Sequence, residues 1–151
     1  MDYEAIKPLL VNTIPWVTMS DLRVDILEER HARLSLPVRE KHLNHVGIVY
    51  AGSHFMLMEV GGAALFICTY GLDRFVPVNR GMSIEFLKPA VTDLFCDLTI
   101  TEEKAREMIA PIEERGKGDW ILEMSIADES GTLVSRAACN YYIIPMPEGL
   151  S

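Results

Sequence analysis

The chain has 151 residues, 49% of them hydrophobic, and carries a formal net charge of −8. That length and apolar share suit one domain with one core, residues 1–151, rather than a disordered chain. The acidic balance, with Lys and Arg nowhere clustered, lacks the basic footprint of a nucleic-acid binder, though a few local cations can still hold an anionic small ligand.

Residues 3–13 have the pattern of a short amphipathic helix that ends near Pro15. From Trp16 to Leu27 the chain reads as extended, with Leu22, Val24 and Ile26 alternating against Arg23 and Asp25. A turn at 28–31 leads to Ala32, Leu34 and Leu36, a hairpin partner. The apolar run 44–66, NHVGIVYAGSHFMLMEVGGAALF, is too long for one strand and rich in Ala, Met and Leu, so it predicts a central helix covered on most sides. After a turn at Gly71–Asp73 come strands over 75–79 and 82–88, then one through Leu94, Cys96, Leu98 and Ile100. Residues 102–115 predict a helix interrupted by Pro111 and stopped at Gly116. Trp120 to Ile126 make a strand, DESG a turn, and 132–144 a last long strand. The expected fold is α+β: a long helix covered by a curved antiparallel sheet.

The chemistry concentrates on the central run. Glu59 is a carboxylate in the middle of a segment apolar enough to bury, where an unpaired charge is costly. On a helix it shares a face with Gly52, Phe55, Met56, Gly62 and Ala63. Gly61 and Gly62 each cost about 1 kcal/mol against Ala inside a helix, which implies either close backbone packing or room for a ligand. Ala51 and Gly52 fall near the helix start, where free amides can polarise a carbonyl, and Asn44 can orient a substrate or a water.

The pattern Asn44-x-x-Gly47-x-x-Tyr50-Ala51-Gly52, followed by Glu59, resembles the hotdog-fold acyl-CoA thioesterases of the phenylacetate-degradation type. Their signature reads Asn-x-x-Gly-x-x-His-Gly-Gly, with Asp or Glu nine residues after the His. Here Tyr50 takes the His place and Ala51 that of the first Gly. The segment SIEFLKPA (83–90) resembles the family's strand ending in Pro-Ala, and the helix at 102–115 resembles a subgroup with an insertion there. The resemblance implies a hotdog fold and hydrolysis of an acyl-CoA or acyl-carrier thioester. Glu59 would act as general base or nucleophile, the Ala51 and Gly52 amides would polarise the carbonyl, and Asn44 would position substrate or water. Gly47, Tyr50, Phe55, Met56, Asn79 and Arg80 would line the substrate site. It implies no cofactor, coenzyme A being part of the substrate, and a homo-oligomer, a dimer or a dimer of dimers, whose sites are shared between subunits.

Two other functions are compatible with the sequence. A hotdog module that binds acyl-CoA without turnover fits the Tyr50 and Ala51 substitutions. A hydratase or dehydratase of enoyl or hydroxyacyl thioesters fits the 14-residue spacing of His45 and Glu59, but the Phe-Pro and Pro-Gly of those enzymes are absent. Metal binding is not expected: His42 and His45 lie in a loop, and His54 sits about 140° from Glu59 on the helical wheel. Arg80, Lys88, Arg115 and Lys117 are ordinary surface cations unless they meet the coenzyme's phosphates. Cys68, Cys96 and Cys139 are odd in number and widely spaced, which suits buried thiols. The N-terminal MDYEAIKPLL lacks a basic leader region, so a cytoplasmic location is expected. Residues 46–68 are long enough to span a bilayer, but Glu59 and His54 within them argue for a core helix.

Overall fold

The computed structural model describes residues 1–149. Its centre is the helix α3, Ala51–Tyr70, around which a six-stranded antiparallel sheet curves. Two helices precede it, α1 (Tyr3–Asn12) and α2 (Pro15–Met19), and α4 (Glu102–Arg115) follows. The strands are β1 (Arg23–Glu28), β2 (His31–Leu36), β3 (Phe75–Phe86), β4 (Leu94–Thr99), β5 (Gly118–Asp128) and β6 (Leu133–Pro145). They lie in the order β1-β2-β4-β5-β6-β3, the hotdog arrangement. An 18-residue window of α3 has the length and hydropathy of a membrane span, but 72% of it is buried inside the fold.

The inward side chains follow strand alternation: Ala32, Leu34 and Leu36 on β2, Leu94 and Cys96 on β4, Trp120 and Ile126 on β5, Cys139, Tyr141 and Ile143 on β6. All three cysteines are buried and free. The paired glycines of α3 permit close packing against this sheet. A Cβ on Gly62 would stand 2.2 Å from the Tyr141 hydroxyl, and one on Gly61 would stand 3.2 Å from Cys96 Sγ. Backbone approach, rather than room for a ligand, is therefore their use.

Three expectations about the elements need correction. Residues 15–19 are helical, not extended, because Pro15 is preset for the first helical turn and Thr18 ties the turn back to Val11 and Ile14. The strands expected at 75–79 and 82–88 are one continuous β3 that ends at Phe86, with a register shift between Asn79 and Gly81. Helix α4 runs through Pro111 without a break; that residue is exposed, so water can satisfy the carbonyl its missing N–H leaves free. β4 and β5 diverge after two paired residues, and α4 packs on β5 with Ile109 and Ile112 buried. Tyr70 pins it there by donating a 2.8 Å hydrogen bond to the Ala105 carbonyl.

The two edges of the sheet differ. Edge strand β1 has six residues, whereas edge strand β3 has twelve, with Val78 and Phe86 about half exposed.

Candidate active site

Helix α3 is covered on every side but one. Ala51, Gly52, Phe55, Glu59 and Ala63 are its only positions before Thr69 that escape full burial, and they form a single ridge along the helix. Glu59 lies in the middle of that ridge. Burial raises its carboxyl above the ordinary 4.5, and no neighbouring charge or hydrogen bond contributes to the shift. The carboxylate stands beside Tyr141 and Cys139, whose own acid groups its charge pushes further up. The Tyr141 hydroxyl donates to the Glu59 backbone carbonyl at 2.6 Å, which anchors the helix at this turn. Asn79 reaches the same cluster from β3, its Nδ2 lying 3.3 Å from Cys139 Sγ.

The start of the helix forms a second centre. Tyr50 occupies the N-cap position with extended backbone but makes no capping hydrogen bond through its side chain, so the first amides of the helix lack that partner. Ala51 opens onto a cavity of about 330 Å³ lined by Asn44, Ile48, His54, Phe86, Lys88 and Ala90, among others. The Val49 amide donates to the Ala90 carbonyl at 2.8 Å and holds the two loops of this cavity together. Asn44 spends its Oδ1 on its own loop, accepting from the amides of Val46 and Ile48 at 3.0 and 3.3 Å. Gly47 makes that loop possible with a φ of 79°.

The residues expected to act together thus fall into two groups. Asn44 and Ala51 share the cavity, while Glu59 and Asn79 lie around Cys139. Ala51 and Glu59, eight residues apart, are separated by about 12 Å along the helix axis. Gly52 and Tyr50 flank a different hollow with Trp16, Lys41 and Met56, and the exposed Tyr50 ring lies over Gly52. Met56 is turned into the core, whereas Phe55 is 39% exposed on the ridge. Arg80 points to the opposite face of the sheet, where it pairs with Asp119 at 2.9 Å and stacks on Tyr142. His42 is structural: it accepts from the Arg39 amide and bonds the Ser20 carbonyl. His45 is exposed on its loop. Among the described residues no three His, Cys, Asp or Glu side chains gather as a metal site would require.

Sequence reasoning weighed His54 only as a metal ligand and gave it no place in the site. It is 2% exposed, lines the cavity beside Ala51, and has Nδ1 2.8 Å from the hydroxyl of Ser135. Its partner is 81 residues away, so no local pattern announces the pair.

A hotdog domain with a partly buried acid on its central helix and a cavity at the start of that helix defines the class. Residues 3–143 match the family described as "Domain of unknown function (DUF4442)", and the chain belongs to that family. No curated protein matches the chain. Among solved structures, a protein of unknown function from Pseudomonas aeruginosa, PA5026, called a probable thioesterase, is 32% identical. The alignment covers 96% of this chain and 97% of that one, with a TM-score of 0.87. The thioesterase HI1161 of Haemophilus influenzae superposes with a TM-score of 0.74 at 15% identity, over 100% of this chain and 96% of that one. A mutant of the thioesterase PA1618 of Pseudomonas aeruginosa gives 0.73 at 13% identity, over 96% and 95%. At such identities the last two speak for the fold alone.

Proposed function

We propose that the protein is a thioesterase that hydrolyses an acyl-CoA or acyl-carrier thioester, of the phenylacetate-degradation type, within a homodimer or a dimer of dimers. The observation that carries this reading is the Glu59 carboxyl, partly buried and left without a charged partner on the one open ridge of α3. A carboxylate so placed is a strong base or nucleophile toward a bound ester. The amide of Ala51 is the electrophilic counterpart, polarising the thioester carbonyl as negative charge develops on its oxygen. Asn44 contributes its side-chain amide to positioning. Asn79 completes the surroundings of the acid. The name of the Pseudomonas aeruginosa relative agrees with this reading.

The 12 Å between Ala51 and Glu59 supports a shared site. Ala51 and Glu59 lie more than two turns apart on one helix, and a single subunit would have to span that separation with one thioester and one water. Two antiparallel copies of α3 solve the problem. A two-fold axis passing beside Phe55, midway between the two residues, sets Ala51 of one subunit opposite Glu59 of the other. The long unpaired edge of β3 and the exposed Val78 and Phe86 supply the surface for such pairing. The site requires no cofactor in this scheme.

The test is thiol release from a panel of short, long and aromatic acyl-CoAs, with molecular mass measured by light scattering. Turnover by a dimer or tetramer is the expected result. Binding without thiol release across the panel would mean an acyl-CoA-binding module instead. A monomer at micromolar concentration would overturn the shared site.

A further inference from the structure

The cavity at the start of α3 contains a polar group that the mechanism above leaves idle. His54 is one turn beyond Ala51, helical side chains lean toward the N-terminus, and the two residues line the same cavity. The ring is held on two sides. Ser135 Oγ is 2.8 Å from Nδ1, and Phe86 meets the ring edge-on, with centroids 5.3 Å apart and planes at 86°.

Hydrogen-bond accounting fixes the tautomer. Ser135 is 0% exposed, and His54 is the one partner of its hydroxyl among the described residues. Were Nδ1 to carry the proton, the serine hydrogen would be buried with no acceptor, a state folded proteins avoid. The serine therefore donates to Nδ1, and the proton of the neutral ring is on Nε2. Burial holds the imidazole's pKa down at about 4, so it is neutral at pH 7. Nε2 bonds no described residue. Yet Asn140 Oδ1, not His54, is the buried side-chain atom left without a partner, so Nε2 has access to open space. That space is the cavity His54 lines with Ala51 and Asn44.

We propose that His54 donates a hydrogen bond from Nε2–H to the thioester carbonyl oxygen held at the Ala51 amide, and that Ser135 is the positioning residue that fixes this donor. The proposal rests on the thioesterase reading and adds to it a neutral side-chain donor in the oxyanion site. No proton is transferred to or from His54: the hydrogen bond tightens as charge develops on the oxygen and relaxes as the thiolate leaves.

Two variants separate the roles of the ring nitrogens. His54→Asn keeps a group near Nδ1 for Ser135 but places nothing at Nε2; His54→Gln carries an amide N–H close to the Nε2 position. We expect kcat to fall about a hundredfold in His54→Asn, with KM within about threefold, and most of the loss to be recovered in His54→Gln. Ser135→Ala should lose about tenfold in kcat, and Ser135→Thr should restore it. Melting curves of each variant identify any that fail to fold. Where wild type hydrolyses thioesters, a folded His54→Asn within threefold of wild type, or a His54→Gln as poor as His54→Asn, overturns the role of His54 and leaves the thioesterase reading intact.

A second measurement needs no turnover. Long-range proton–nitrogen spectra of histidine-labelled wild type report the tautomer, and the Nε2–H form is expected for His54; an Nδ1–H signal overturns the proposal. Acetonyldethia-CoA, in which a methylene replaces the thioester sulfur, should shift the Nε2–H resonance. If wild type cleaves no thioester, the thioesterase reading fails by itself, and the analogue still decides whether His54 meets a carbonyl. An unmoved resonance at saturating analogue overturns the donor role.

Discussion

On the sheet-facing side of α3, Gly61 and Gly62 put no side chain between helix and strands, so that Tyr141 can reach the Glu59 carbonyl. On the open side, Phe55, Glu59 and Ala63 present an apolar ridge broken by one carboxyl. The first side brings backbone close to the strands; the second holds a partly buried acid without a partner, which stability alone does not favour. One helix thus carries both a close backbone contact of the core and a partly buried carboxyl with no charged partner. The difference separates residues that serve the fold from those to which the proposed function assigns chemistry, and each can be removed without the other.

The largest effect is expected on the open side. Glu59→Gln should lower thioester turnover at least a hundredfold, as loss of a positioned base or nucleophile does, while the protein stays folded. A folded Glu59→Gln within threefold of wild type in thiol release would end the assignment. Ala51→Pro is the matching probe at the helix start. Proline is tolerated at the first helical position and Tyr50 already has the extended backbone it demands, so the helix stays while the amide proton is replaced by the ring's Cδ. Turnover should again fall about a hundredfold. If each site draws on two subunits, an equal mixture of the two dead variants, unfolded and refolded together, should regain about a quarter of wild-type activity, since half the dimers hold one intact site. No recovery would place both residues in one subunit's site.

On the closed side the effect should be on stability. Gly62→Ala gains helix propensity but drives a methyl into the buried Tyr141 ring, so a net loss of about 1–3 kcal/mol is expected in urea denaturation. A variant as stable as wild type would show that the close approach of helix and strand can relax.

The two sides also differ in how their acid groups respond to pH. Glu59 has its pKa raised by burial, so its proton is bound more tightly in the folded state. Its contribution to stability is present below the ordinary 4.5 and is lost as pH rises through the folded value. Glu59→Gln should therefore melt higher than wild type at pH 7–8, the gain shrinking as the pH falls toward 4.5. His54 has the opposite sign. Its pKa is depressed from 6.5 to about 4, so the stability it contributes is present above 6.5 and is lost as pH falls through that window. Equal melting temperatures for wild type and Glu59→Gln at all pH values would mean that the acid is not desolvated.

What the sequence made legible follows from the range of the signals. The strands and α3 were readable because alternation and apolar runs are local, and Glu59 because a charge in such a run is conspicuous. The helical turn at 15–19 was missed because its few residues carry no full period, and the unity of β3 because the bulge near Gly81 breaks the alternation. The partners of the glycines and of His54 were out of reach. Tyr141 and Ser135 are about 80 residues along the chain from the helix they contact, and only the folded sheet brings them there.

The smallest expected effect tests a neighbour of this helix that the comparison assigns to neither side. His45 precedes α3 and is 14 residues from Glu59, the spacing of hydratases, in which an imidazole near neutrality moves a proton at the β-carbon. In this structure its side chain is exposed on the loop and does not line the cavity beside Ala51. No step of the proposed hydrolysis needs it: in that scheme the acid activates the attacking oxygen, and the helix start holds the carbonyl. Its loop keeps its shape through Asn44 and Gly47 rather than through the imidazole. His45→Ala should therefore keep at least about a tenth of wild-type thiol release. The decisive measurement sets that assay beside hydration of an enoyl thioester followed by its ultraviolet absorbance. Robust hydration by wild type that vanishes in His45→Ala would make the protein a hydratase, and would recast Glu59 as the partner of an imidazole rather than the activator of water.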